Sequence, residues 1–185
     1  MSAEPTPTVT SLGIADVLLV TSPSHADERG AFAEAYRAAW LPSTAPMVQA
    51  NHASRRAGSV VGLHYHRHQA DYWYVVRGRV RAVLHDLRRS SPTDGTTITV
   101  ELDGTGLIPM RQGLYIPPGV AHGFAAPTDV DLVYLVDRTY DPGDELGLAW
   151  DDPEVAADWG IAHPVLSARD RSNPARAAIA DELRP

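Results

Sequence analysis

The chain has 185 residues, 44% of them hydrophobic and 21% charged, with a net charge of −7 and no cysteine. That length fits one domain with a two-layer core, and no stretch approaches the roughly 18 consecutive apolar residues of a membrane helix. The missing cysteines exclude a disulfide framework and thiolate chemistry, so any metal must sit on nitrogen and oxygen ligands. The acidic balance argues against a broad nucleic-acid or anionic-membrane surface but leaves room for a phosphorylated small molecule held by a few arginines.

Residues 1–12 read as a flexible segment. They hold Glu4, Pro5 and Pro7 with neither a basic start nor an apolar run, which is unlike a secretory signal and gives a cytoplasmic expectation. Residues 13–185 read as a single domain. Residues 32–40 are a candidate helix. From residue 58 to about residue 140, β-branched and aromatic runs alternate with turn clusters, and residues 72–76, 80–87, 98–102, 114–116 and 132–136 read as strands. The turns between them fall at 91–95, 103–106 and 117–119, where glycine, proline and aspartate supply the required backbone angles. Residues 174–183 read as a closing helix, with Asn173 as cap, Pro174 at the first position and good helix formers after it. The fold class is all-β, a jelly-roll barrel with short flanking helices.

Of the eight histidines, His25, His52, His68, His85 and His163 belong to no obvious chemical group and read as surface or packing residues. His64 and His66 differ. Residues two apart on a strand share a face, so both imidazoles can point into one barrel. The spacing Gly58, His64, His66, Asp71, Gly78 resembles the first metal-cupin motif, with Asp71 where that motif carries glutamate. Residues 117–122 (Pro-Pro-Gly-Val-Ala-His) resemble the second, although its leading glycine lies close in, at Gly113, and Ala126 replaces its asparagine. This resemblance implies His64, His66, Asp71 and His122 as ligands of a divalent Fe, Mn, Ni or Zn ion.

A longer resemblance runs from residue 27 to residue 170. It is carried by 27–34 (Asp-Glu-Arg-Gly-Ala-Phe-Ala-Glu), 49–51 (Gln-Ala-Asn), 62–65 (Gly-Leu-His-Tyr), 86–88 (Asp-Leu-Arg) with 91–93 (Ser-Pro-Thr), and 116–124 (Ile-Pro-Pro-Gly-Val-Ala-His-Gly-Phe). It continues through 139–142 (Thr-Tyr-Asp-Pro), 150–153 (Trp-Asp-Asp-Pro) and 166–170 (Leu-Ser-Ala-Arg-Asp). In order and spacing these segments resemble the dTDP-4-dehydrorhamnose 3,5-epimerase family of sugar-nucleotide cupins. The resemblance implies a cofactor-free, homodimeric jelly roll acting on a nucleotide-linked 4-keto-6-deoxysugar. It makes His64 the base, Asp170 its partner and Tyr134 the acid on the opposite face, and it places Arg29, Glu34, Gln49, Asn51, Tyr140 and His122 on the nucleotide or sugar. These residue types suit the chemistry, because a proton beside a carbonyl is only weakly acidic and inverting its carbon needs a base on one face and an acid on the other.

Three positions depart from the family pattern: Val61 stands for an arginine, His66 for a glutamine and Asp71 for a lysine. The pocket thereby loses cations where a diphosphate needs them, and a metal on His64, His66, Asp71 and His122 would restore charge. A histidine with its lone pair on a metal cannot also take a proton. Three readings follow: an epimerase using His64, Asp170 and Tyr134 without a cofactor; a metal-dependent cupin enzyme on another small molecule; and a non-catalytic sugar-binding cupin.

Overall fold

The computed structural model describes residues 6–42, 46–106 and 110–185. Its strands are β1 (Thr8–Ser11), β2 (Leu18–Asp27), β3 (Gly30–Ala33), β4 (Gln49–Arg55), β5 (Val60–Tyr65) and β6 (Asp71–Arg77). They continue as β7 (Arg79–Asp86), β8 (Thr97–Asp103), β9 (Met110–Ile116), β10 (Val120–Ala125), β11 (Val130–Val136) and β12 (Leu146–Gly147). One sheet has the order β1-β2-β9-β6-β11-β4, with β3 paired to β2, and the other has the order β12-β5-β10-β7-β8. Every pairing between these strands is antiparallel, and the non-sequential order is that of a jelly roll. All five strands expected from alternation between residues 72 and 136 are present.

The two sheets face each other over a core of Trp73, Val75, Leu114, Ile116 and Leu132 from one and Val80, Ala82, Leu84, Val120 and Phe124 from the other. β10 is buried along its whole length. Its outer residues Ala121 and Ala125 lie under Leu148, Val155, Trp159 and Ile179 of the C-terminal segment, so this strand needs apolar side chains on both faces.

The expected helices are not α-helices. Residues 174–183 form two single 3-10 turns, Arg176–Ala178 and Asp181–Leu183, separated by Ile179 in an extended conformation. Tertiary bonds override the local propensity here. Arg176 donates from its backbone to Asp152 and from its guanidinium to His85, Glu154 and Asp94, while Ile179 turns into the cluster beneath β10. Asn173 is extended and donates to Leu63 O instead of capping a helix. Phe32 belongs to β3, only Ala38–Trp40 form a 3-10 turn, and Tyr36 and Trp40 pack on the outer face of the larger sheet. In the segment expected to be flexible, Thr8–Ser11 pair with Leu18–Thr21 of β2; residues 1–5 lie outside the described residues. Among the described residues no helix is long and apolar enough to cross a membrane.

One local irregularity positions the site. Between its pairings with His122 and Phe124 of β10, β5 carries one residue more than its partner, a β-bulge across residues 61–64. Val60, Leu63 and Tyr65 therefore pack outward beneath the C-terminal segment, and Val61 and His64, three apart, both face inward. Gly62 makes the bulge possible. It adopts φ +110°, and a Cβ there would lie 2.8 Å from both Gly123 Cα and His122 O. Gly62→Ala is expected to destabilise the fold by about 2–4 kcal/mol, lowering Tm by about 5–15 °C in calorimetry. The variant should also lose activity, because β5 must shift to relieve the overlap.

Candidate active site

The cavity between the sheets is lined by alternate residues of each strand: Gln49, Asn51, Ala53 and Arg55 from β4, Asp71 and Trp73 from β6, and Leu132, Tyr134 and Val136 from β11. The smaller sheet adds Val61 and His64 from β5 and His122 and Phe124 from β10, and His66 follows just past the end of β5. Gln69, Gly123, Tyr140 and Glu145 also line it.

His64 is held by a carboxylate remote in sequence. Its Nε2 lies 2.6 Å from Oδ1 of Asp170, which is only 4% exposed in the turn Asp170–Ser172. Burial works against a charge on Asp170. Hydrogen bonds from His64, the Ser167 side chain and the Gly62 backbone outweigh it and hold the carboxyl below its ordinary value. Asp170 thus stays ionised and accepts the Nε2 proton. Nδ1 is left as the basic nitrogen, 3.9 Å from Glu145 on the cavity wall.

Tyr134 approaches from the opposite sheet, paired laterally with Asn51 and Trp73. It is half-buried, and burial together with the charges of Asp71 and Glu145 raises its pKa, so the phenol keeps its proton. Gln49 and Asn51 are bonded to each other, and Gln49 accepts from the backbone of Tyr140, whose side chain is exposed at the mouth.

The four residues expected to hold a metal divide. His66, Asp71 and His122 are buried and converge, with candidate ligand atoms all within 4.8 Å of one another, whereas His64 is outside this group. The two-residue spacing does put His64 and His66 on one wall. Beyond β5, however, the carboxylate of Asp144 accepts from the Arg67 and His68 backbones and its carbonyl binds Nδ1 of His66, which turns that ring towards Asp71. Burial lowers the pKa of His122 to about 4, so its ring is neutral.

Arg29 and Glu34 do not join this group. Arg29 is bonded to Asp27 in the β2–β3 hairpin and Glu34 to Arg37, and neither lines the cavity of its own chain. Arg55 and Glu145 were missed. Arg55 continues the alternation of 49, 51 and 53 on β4, a signal present in the sequence, and it lines the same cavity as Val61. A cation thus reaches the pocket from β4 of the larger sheet, whereas the family pattern has it on β5 of the smaller one. Glu145 sits just before the edge of β12 and carries no comparable signal.

A jelly roll whose cavity sets a histidine, bonded to a buried carboxylate, across from a protonated tyrosine on the opposite sheet defines a cupin-type barrel. The chain belongs to the dTDP-4-dehydrorhamnose 3,5-epimerase family, which it matches over residues 11–177. It is 38% identical over 168 residues to a dTDP-4-dehydrorhamnose 3-epimerase of Streptomyces niveus, covering 86% of this chain and 79% of that one. It is 33% identical to a dTDP-4-dehydrorhamnose 3,5-epimerase of Shigella flexneri, covering 85% and 89%. Among solved structures, NovW, a 4-keto-6-deoxy sugar epimerase from the novobiocin gene cluster of Streptomyces spheroides, superposes with a TM-score of 0.89 at 35% identity, covering 98% and 94%. The Legionella pneumophila 3,5-epimerase in complex with dTDP-4-keto-L-rhamnose gives 0.89 at 30% identity, covering 97% of each chain.

Proposed function

We propose that this protein epimerises a nucleotide-linked 4-keto-6-deoxysugar at a carbon next to the ketone, with no cofactor needed for the proton transfers. The observation that carries the reading is the 2.6 Å His64–Asp170 pair on one wall of a cavity whose other wall presents Tyr134. Nδ1 of His64 takes the proton, and the C–H electrons move onto the ketone oxygen as an enolate. Asp170 keeps Nε2–H oriented and stabilises the imidazolium. Tyr134 then returns a proton to the opposite face, and the carbon is inverted.

Gln49, Asn51, Tyr140 and His122 contact the sugar or nucleotide, and Arg55 faces the diphosphate. Arg29 and Glu34 serve the cavity of a neighbouring subunit in a homodimer. This arrangement is supported by their absence from the lining of their own cavity and by Phe32, 70% exposed in the same hairpin. The enzyme acts in the cytoplasm, where nucleotide sugars are made.

Incubation with a dTDP-4-keto-6-deoxysugar in deuterium oxide tests the reading. Mass spectrometry is expected to find deuterium at one or both carbons flanking the ketone, with inversion visible by NMR. No incorporation into any such sugar would overturn it.

A further inference from the structure

The wall of the cavity holds a second set of groups that take no part in the proton transfers: His66 and Asp71, with His122, which the proposed function gives only a substrate contact. Nδ1 of His66 is bonded to Asp144 O at 2.8 Å and Nδ1 of His122 to Val120 O at 2.9 Å. A carbonyl only accepts, so Nδ1 of each ring carries a proton, and the nitrogen free to bind a cation is Nε2. Both lone pairs meet one carboxylate: His66 Nε2 is 4.0 Å from Asp71 Oδ1, and His122 Nε2 is 3.8 Å from Asp71 Oδ2. Asp71 is itself fixed, accepting from Gln69 Nε2 at 2.9 Å and from Trp73 Nε1 at 3.3 Å.

These spacings are too long for direct hydrogen bonds. They leave room between the three groups for a cation, which would draw the ligand atoms inwards by a few tenths of an ångström to the usual bond lengths of about 2.0–2.2 Å. Backbone carbonyls on the remote histidine nitrogens are also the outer partners that fix ring orientation at metal centres. All three side chains are buried in the cavity wall, and a cation is a partner that would satisfy the two Nε2 atoms and the carboxylate at once.

We propose that His66 Nε2, His122 Nε2 and the Asp71 carboxylate bind one divalent transition-metal ion, without His64. Two imidazoles and a carboxylate suit Fe, Mn, Ni or Zn. All three residues line the cavity, where the charge of a bound ion would polarise a ketone oxygen. That last role rests on the proposed function; the binding does not. Because His64 stays on Asp170, the metal and the base occupy different residues of one pocket.

The test uses the untagged full chain, stripped with chelator and titrated calorimetrically with Zn²⁺ and with Co²⁺. One ion per chain is expected, with affinity falling at least about 10–100-fold in His66→Ala and in His122→Ala and unchanged in His64→Ala. Circular dichroism checks that the variants fold. Pulsed EPR of the native chain loaded with Cu²⁺ gives a readout independent of them, the expected result being modulation from imidazole nitrogen. No stoichiometric binding, binding that survives both histidine variants, absent nitrogen modulation or equal loss in His64→Ala overturns the proposal. Deuterium exchange by the stripped chain reports on the epimerase reading separately, so either can fail alone.

Discussion

His64→Ala lowers the rate of deuterium incorporation next to the ketone by about 10²–10⁴-fold, the usual contribution of a positioned general base. Tyr134→Phe behaves differently. The phenol acts after the C–H bond has broken, so His64 still takes the proton, exchanges it with solvent and returns deuterium to the same face of the enolate. Exchange survives while inversion falls by about 10²-fold or more. Asp170→Asn lies between these cases: the amide keeps the shape but removes the charge that stabilises the imidazolium and fixes its proton on Nε2. Following exchange by mass spectrometry and inversion by NMR on the same samples separates the roles. Loss of exchange in Tyr134→Phe with exchange retained in His64→Ala would reverse the assignment of base and acid. Both residues lie at least partly buried on opposite sheets, so a circular-dichroism check of each variant guards against a folding defect.

What the sequence disclosed divides along the range of the interactions involved. The strands between residues 72 and 136 were legible because their alternation and turn residues are local, and β6, β7, β8, β9 and β11 form where that alternation places them. The bulge in β5 was not, since the signal at Gly62 is the close approach of Gly123, which no spacing rule contains. The helix expected at 174–183 failed because Arg176 reaches Asp94, His85 and Glu154, partners far away in the chain. The His64–Asp170 pair spans 106 residues and was visible only through the family resemblance. The metal-like spacing correctly put His64 and His66 on one wall, but could not show that Asp144 redirects His66 while Asp170 takes His64.

Acidification is expected to weaken the fold in the window between pH 6.5 and about pH 4, with His85 as a principal cause. Read from sequence as a residue without a group, His85 is completely buried and uses both ring nitrogens. Nδ1–H donates to Thr97 Oγ1 at 2.8 Å, and Nε2 accepts from Arg176 at 3.0 Å. Protonating the ring would break the second bond and set two cations side by side in the interior. Burial first, and Arg176 second, lower its pKa from 6.5 to about 4. The unfolded chain therefore binds the proton more readily than the folded one across that window. The stability given by the neutral ring is complete above pH 6.5 and is lost as the pH falls towards 4, a difference of about 3 kcal/mol at roughly 1.4 kcal/mol per pH unit. His122, also lowered to about 4 by burial, acts in the same direction. Asp86 follows at lower pH. Burial opposes its charge, but bonds from Arg88, Ser91 and Thr93 bring it to about 2, so its contribution disappears between 3.8 and 2. Urea unfolding in the presence of chelator, at half-unit steps from pH 7.5 to pH 4, should show a plateau followed by this decline. His85→Gln keeps an acceptor for Arg176 but removes the titration, so its curve should fall less steeply through the same window. An unchanged slope would place the acid sensitivity on other groups.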